Sequence, residues 1–212
     1  MICISINKKD VNSVLRAIKK LEFAEIRLDV LNPSINDIRK IFSSHKNLIA
    51  TMRPCNVTND KRTDILIQAV RSGARYVDIE MELPSELRKK IIFSARKNNC
   101  KIIISYHNFD KTPDSGKLNS IVKKCFRSGA DIVKIACMVN DIKDNSRILA
   151  LIDNKKPMIA IGMGKLGKIT RISAIAMGAF LTFASISDKE RSADGQIRYL
   201  KLKKILREIK FV

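Results

Sequence analysis

Tryptophan is absent from this 212-residue chain, tyrosine occurs three times, and aromatic residues make up only 5%. So few flat rings leave little for bases to stack on, which weighs against a single-stranded nucleic-acid binder. Histidine is equally scarce, with two copies. The five cysteines (Cys3, Cys55, Cys100, Cys125, Cys137) form no CxxC pair and no metal-ligand spacing. They read as reduced, mostly buried thiols, and no metal or other cofactor is expected. No apolar run reaches the roughly 18 to 20 residues that a membrane span needs. The N-terminus enters a strand at once without a secretory h-region, so cytoplasmic residence and no membrane partner are expected. No GxGxxG follows the first strand, which removes support for a dinucleotide site.

Negative charge is also short: 21 Asp and Glu stand against 41 Lys and Arg, for a net charge of +20. Such a balance invites a nucleic-acid partner. The cations, however, are spread over nearly every helical segment, as in Lys19-Lys20, Arg88-Lys89-Lys90 and Lys123-Lys124. Only the run 198–210 is dense. There Leu202, Ile205, Leu206 and Ile209 mark a core face, with Lys201, Lys204, Arg207 and Glu208 on the solvated side. An anionic small-molecule substrate accounts for the charge as well as nucleic acid does.

What is present is a steady alternation. Hydrophobic content of 45% is that of a globular protein. Strand patterns fall at 2–6, 23–30, 47–54, 76–82, 101–108, 130–139, 157–164 and 179–185. Helical patterns fill 9–20, 34–44, 60–72, 84–98, 118–128, 141–153, 168–177 and 193–209. Pro33-Ser34, Pro84-Ser85 and Pro113-Asp114 open helices, while Gly73 and Gly129 close them. Eight β–α units without a low-complexity linker predict a parallel sheet in the α/β class. In this length they suit a single (β/α)8 TIM barrel spanning 1–212. An open doubly wound sheet is the alternative architecture.

Lys134 is out of place in Asp131-Ile132-Val133-Lys134-Ile135-Ala136, which otherwise reads as a buried strand. Lysines are rarely buried unless paired or put to chemical use. Strand two, Glu25-Ile26-Arg27-Leu28-Asp29-Val30, sets two carboxylates and a guanidinium opposite its apolar set. Strand four repeats the pattern with Asp78, Glu80 and Glu82. Thr51 and Arg53 end strand three with one parity, and Ser105 and His107 do so on strand five. If the apolar sets face helices, these groups line a barrel interior near its C-terminal mouth, where sites of this fold gather. An amine able to form an imine beside an imidazole makes a proton-transfer site on a carbonyl substrate, without a metal. His45, at a helix end, reads as incidental.

The segment Gly162-Met163-Gly164-Lys165-Leu166-Gly167-Lys168 imitates a P-loop, but Ile169 follows where Ser or Thr would hold magnesium. The loop is expected to let backbone approach a ligand and to present Arg171 to a carboxylate or phosphate. His107, Lys134 and Arg171 then lie at or just beyond the ends of three consecutive strands.

Taken in order, Glu25 to Asp29, Thr51-Met52-Arg53, Asp78-Ile79-Glu80, Ser105 to Phe109 with Thr112-Pro113, Val133 to Ala136, Met163-Gly164 through Thr170-Arg171, and Ser192 to Gln196 resemble the type I 3-dehydroquinate dehydratases of the shikimate pathway. The resemblance covers nearly the whole chain. It implies a lyase that dehydrates 3-dehydroquinate to 3-dehydroshikimate in aromatic amino-acid biosynthesis, and a homodimer. It assigns Lys134 to the imine with the substrate ketone and His107 to general acid/base work. It gives Arg171 to the substrate carboxylate. Glu25, Arg27 and Arg53 go to the substrate hydroxyls and site order, and Ser192 and Gln196 to a closing loop.

Two departures stand out. The acidic residue and paired glycines that often follow the strand-three arginine are replaced by 54–59, so a carboxylate orienting His107 is lost or comes from elsewhere. Asp194 replaces a usual proline, which is expected to loosen the closing loop. The alternatives are a class I aldolase on the same barrel, using the same lysine on a phosphorylated substrate, and a basic nucleic-acid-binding barrel with a degenerate site.

Overall fold

The structure, a computed structural model, describes residues 1–153, 155–190 and 193–209, with the backbone alone at Lys189. Nine strands alternate with nine α-helices among these residues. The strands are β1 (Ile2–Ile6), β2 (Ala24–Arg27), β3 (Leu48–Thr51), β4 (Tyr76–Glu80), β5 (Lys101–Asn108), β6 (Ile132–Met138), β7 (Met158–Met163), β8 (Thr182–Ser185) and β9 (Ile197–Arg198). The helices are α1 (Val11–Ile18), α2 (Leu28–Leu31), α3 (Ile35–Ser43), α4 (Asn59–Arg71), α5 (Ser85–Lys97), α6 (Ser115–Arg127), α7 (Lys143–Leu149), α8 (Thr170–Ala176) and α9 (Tyr199–Glu208). No described helix is long and apolar enough to cross a membrane.

The chain divides into two compact units, Ser5–Ile103 and Met1–Ile4 with Ile104–Val212. In the first unit, β2, β3 and β4 lie side by side. Their parallel register sets Arg27 opposite Thr51 and Thr51 opposite Asp78. Three polar residues thus share one level, at the ends of β2 and β3 and in the middle of β4. The first-unit helices follow their start signals. Ser34 and Asp37 form a reciprocal capping box on α3, and Thr58 accepts from the Lys61 N–H to start α4. Gly73 ends α4 at φ +105°, a left-handed conformation that costs glycine nothing.

In the second unit, β5, β6 and β7 are neighbours, and β1, β8 and β9 form a second run. The pairs β6–β7, β1–β8 and β8–β9 are parallel. The chain entering β8 also meets the start of β7, where the Phe180 N–H donates to the Met158 carbonyl at 2.8 Å. Ala184 on β8 packs against Leu202 and Leu206 of α9. Burying two leucines fully is worth roughly 3 to 6 kcal/mol of transfer free energy. Ile209, expected on that same face, is instead exposed, because α9 ends at Glu208.

Two strands are shorter than their patterns. β2 stops at Arg27, and the chain turns into the single helical turn α2, which closes at Asn32 with φ 46°. Asp29 therefore sits in a helical turn, not on a strand. β4 stops at Glu80, which leaves Glu82 exposed in the following turn and off the polar face.

Candidate active site

The second unit holds Lys134, His107, Arg171 and Gln196. Lys134 is the third residue of β6, flanked by fully buried Val133 and Ile135, and only 5% of it is exposed. It lies inside the strand, not at the expected strand end, and its long side chain supplies the reach. Its Nζ stands 4.2 Å from the centroid of the Phe183 ring on β8. A ring face at that distance attracts the ammonium and confines it. The alternation of β8 explains the contact: Ala184 faces α9, so Phe183 faces the other way.

The Phe183 carbonyl in turn accepts from Arg171 Nη1 at 3.2 Å, and Arg171 Nη2 donates to the Asp194 carbonyl at 3.4 Å. Arg171 is 1% exposed, and its Nε has no hydrogen-bond partner among the described residues. Within those residues no carboxylate pairs with it either. Burial alone pushes the guanidinium down from 12.5 to about 10. A buried cation with a spare donor is costly unless an anion completes it.

His107 stands one residue before the end of β5, half-buried, with its ring stacked on Phe109 at 6.0 Å between centroids and 11° between planes. Phe109 is largely exposed, so an apolar plate lies open beside the imidazole. Gln196 is buried. The segment that carries it approaches the loop after β7 closely: a Cβ on Gly195, at φ +79°, would fall 2.4 Å from the Gly164 carbonyl oxygen. Asp194, expected to loosen the closing loop in place of a proline, accepts from Arg171 through its backbone carbonyl, as a proline there could. Ser192 lies outside the described residues.

The P-loop look-alike resolves differently from expectation. A Cβ on Gly167 would sit 2.4 Å from the Gly162 carbonyl carbon, so these glycines let backbone meet backbone and not a ligand. The Gly162 N–H is taken by Thr170 Oγ1 at 2.8 Å, and that hydroxyl donates to the Gly167 carbonyl at 2.7 Å. The loop is folded onto itself. It leads into α8, where Arg171 is the second residue.

The first unit gathers the other predicted residues. Glu25, buried at 4% exposure, accepts from Ser5 Oγ at 2.5 Å and from Thr51 Oγ1 at 2.9 Å. Arg27 clasps Asp29 through Nε at 2.9 Å and Nη2 at 2.6 Å. Arg53 clasps Asp78 with both Nη groups, at 3.2 and 2.6 Å, and lies 3.4 Å from Glu80. For Arg53, burial pulls the pKa down but is outweighed by Asp78, Glu25 and Glu80, so its charge is held more firmly than usual. Asp29 goes the other way: burial raises its pKa, yet the Arg27 hydrogen bond prevails and holds it below the ordinary 3.8.

Arg62 was not foreseen. Its Nη2 reaches Glu80 at 2.5 Å and the Met52 carbonyl at 2.9 Å, while Nη1 donates to Asn59 at 3.0 Å. A helix arginine thus bonds on either side of the segment that follows Arg53, at Met52 and at Asn59. A cation at the fourth position of a helix following Arg53 was the available signal. Phe183 was also missed, although its parity on strand eight was readable. His45 is structural, as expected: its Nε2 lies 2.8 Å from the Leu21 carbonyl, and Nδ1 accepts from the Asn47 N–H at 3.1 Å. All five cysteines are free; only Cys55 is exposed, and burial pushes the Cys137 thiol up to about 12. Among the described residues no group of three or more His, Cys, Asp or Glu could hold a metal ion.

One unit of a parallel β–α chain holds a strand lysine over an aromatic ring, a strand-end histidine and a buried arginine with no carboxylate among the described residues, a set of side chains that belongs to an enzyme. Comparison makes the class specific. Residues 2–211 match the family model for type I 3-dehydroquinase. The chain is 38% identical to a 3-dehydroquinate dehydratase of Methanococcus maripaludis, over 97% of this chain and 98% of that one. It is 37% identical to one of Methanocaldococcus jannaschii, over 98% of each. The crystal structure of type I 3-dehydroquinate dehydratase from Clostridium difficile, with covalent modified comenic acid, superposes with a TM-score of 0.87 at 25% identity, covering 98% of this chain and 91% of that one. The chain belongs to the type I 3-dehydroquinase family, and its fold is of the (β/α)8 TIM-barrel type.

Proposed function

We propose that this chain dehydrates 3-dehydroquinate to 3-dehydroshikimate through an imine on Lys134, as one catalytic barrel domain in the cytoplasm. The observation that carries the reading is Arg171, a buried cation with no carboxylate among the described residues, in the same unit as Lys134 and His107. Arg171 takes the substrate carboxylate, and the ketone carbon is then attacked by Nζ of Lys134. Loss of water gives the imine, and the protonated imine draws electrons from the adjacent carbon. His107 removes the proton there, and the electron pair expels the tertiary hydroxyl, which leaves as water with a proton from the imidazolium. Hydrolysis of the imine frees Lys134 and the enone. Glu25, Arg27 and Arg53 hold the substrate hydroxyls and order the site, and Ser192 and Gln196 close over the ligand. No cofactor takes part in this sequence. The relative solved with covalent modified comenic acid fits a covalent course.

The test is ultraviolet absorbance during incubation with 3-dehydroquinate. The parent protein should develop the conjugated enone. His107→Ala should lose turnover by about 10²- to 10⁴-fold while its imine can still be trapped. Cleavage of a sugar phosphate without enone absorbance would instead support an aldolase.

We further infer a homodimer. Exposed Ile142, Leu166 and Ile169 line one groove of about 810 Å³ in the second unit, a surface that a subunit contact would cover. Sedimentation should give twice the chain mass of 24.0 kDa, and a monomer at micromolar concentration would contradict it.

A further inference from the structure

We propose that Arg147, held by Asp144, is a positioning residue for His107. The inference rests on the imine reading and adds a residue on α7 that the reacting strands do not supply. The segment that follows His107, residues 109–113, is tied to the end of the strand that carries Lys134. Thr112 Oγ1 donates to the Met138 carbonyl at 2.6 Å, and Asn140 Nδ2 donates to the Asp110 carbonyl at 2.7 Å. Arg147 Nη1 completes the tie from α7, donating to the Thr112 and Pro113 carbonyls at 3.4 and 3.5 Å.

Arg147 is itself fixed through Nη2 to Asp144 Oδ1. Asp144 is buried, and its Oδ2 accepts from the Asn140 and Asp141 N–H groups at 3.0 and 3.1 Å. One carboxylate therefore secures the turn after β6 and the arginine that grips the loop after β5. Asp144 is buried but a third of the Arg147 side chain is exposed, so the pair adds little net stability. What this one does is hold two loops in a single register.

The consequence reaches the imidazole through Phe109. That ring stacks on His107 and begins the clamped segment. If residues 109–113 drift from β6, the plate against which His107 stands drifts with them. Imine formation on Lys134 needs no contact from this loop, but proton removal needs His107 in place. A displacement near 1 Å costs about 100-fold in rate.

The experiment uses full-length enzyme with 3-dehydroquinate and borohydride. Arg147→Met should lower kcat about 10- to 100-fold with KM changed less than about threefold. The borohydride-trapped imine should match the parent's yield, and the histidine limb of the kcat–pH profile should shift. Arg147→Lys should recover part of kcat, because a lysine can still pair with Asp144. Thr112→Val removes the Met138 tie alone and should show the same kcat-only loss, smaller. Folded Arg147→Met with kcat within about twofold of the parent would overturn the proposal, as would losses of kcat, KM and trapping in step. If Arg147→Met does not fold, parent-like kcat in both Arg147→Lys and Thr112→Val overturns it. A parent that neither turns over nor traps an imine defeats the imine reading itself, whereas an active parent with indifferent variants defeats only the clamp.

Discussion

Arg53 follows the end of β3 and Arg171 stands in the first turn of α8, and their surroundings differ in sign. Arg53 meets Asp78 and Glu80 within 3.4 Å, and its carboxylate neighbours outweigh burial and strengthen its charge. Arg171 meets only backbone carbonyls among the described residues, and burial weakens its charge. The first arginine has its counterions built in, so its work is to hold β3 and β4 in register and to offer a rigid polar surface. The second has no carboxylate among the described residues, and the proposed reading gives that part to the ligand. Burial marks both residues; a built-in carboxylate separates the arginine that comes with its counterion from the one that does not.

Substitution turns the contrast into opposite results. Arg53→Met removes the guanidinium that clasps Asp78, whose side chain is wholly buried, and should cost about 3 kcal/mol of folding stability, read as a fall in denaturation midpoint. Arg171→Met removes a cation that two backbone carbonyls, and no carboxylate among the described residues, compensate. It should leave the unliganded midpoint unchanged or higher, yet weaken substrate affinity by about 30-fold, near 2 kcal/mol. The signs matter more than the sizes. If Arg171→Met destabilised the free protein as much as Arg53→Met, the claim that its charge awaits a ligand would break.

Much of this was legible in the sequence. The β–α alternation gave every strand from β1 to β8, because buried parallel strands and amphipathic helices leave different periods. Helix starts such as Pro33-Ser34 and Pro113-Asp114 were local signals and behaved locally. Lys134 was conspicuous because an ammonium inside an apolar strand has few explanations. Strand ends were less legible. The polar alternation of 23–30 continues through Asp29, but the backbone turns helical at Leu28, and Asp29 meets Arg27 by folding back. Glu82 failed for the same reason, since alternation outlasts β4 by two residues.

Arg62 and Arg147 were illegible for a different cause. Each lies on a helix among many exposed cations, and its role depends on carbonyls 10 or 35 residues away. A charged helix residue that packs on a loop carries the same pattern as one that faces water. Phe183 falls between the two cases: its parity was readable, but its partner on β6 was not.

The account turns on covalent chemistry at one amine. The measurement that tests it most directly is peptide mass mapping after borohydride reduction in the presence of 3-dehydroquinate. A reduced adduct on the peptide containing Lys134, absent from Lys134→Ala and accompanied there by a loss of turnover of about 10⁴-fold or more, is the predicted result. Full dehydratase turnover with no adduct on Lys134, or an adduct that persists in Lys134→Ala, would contradict it.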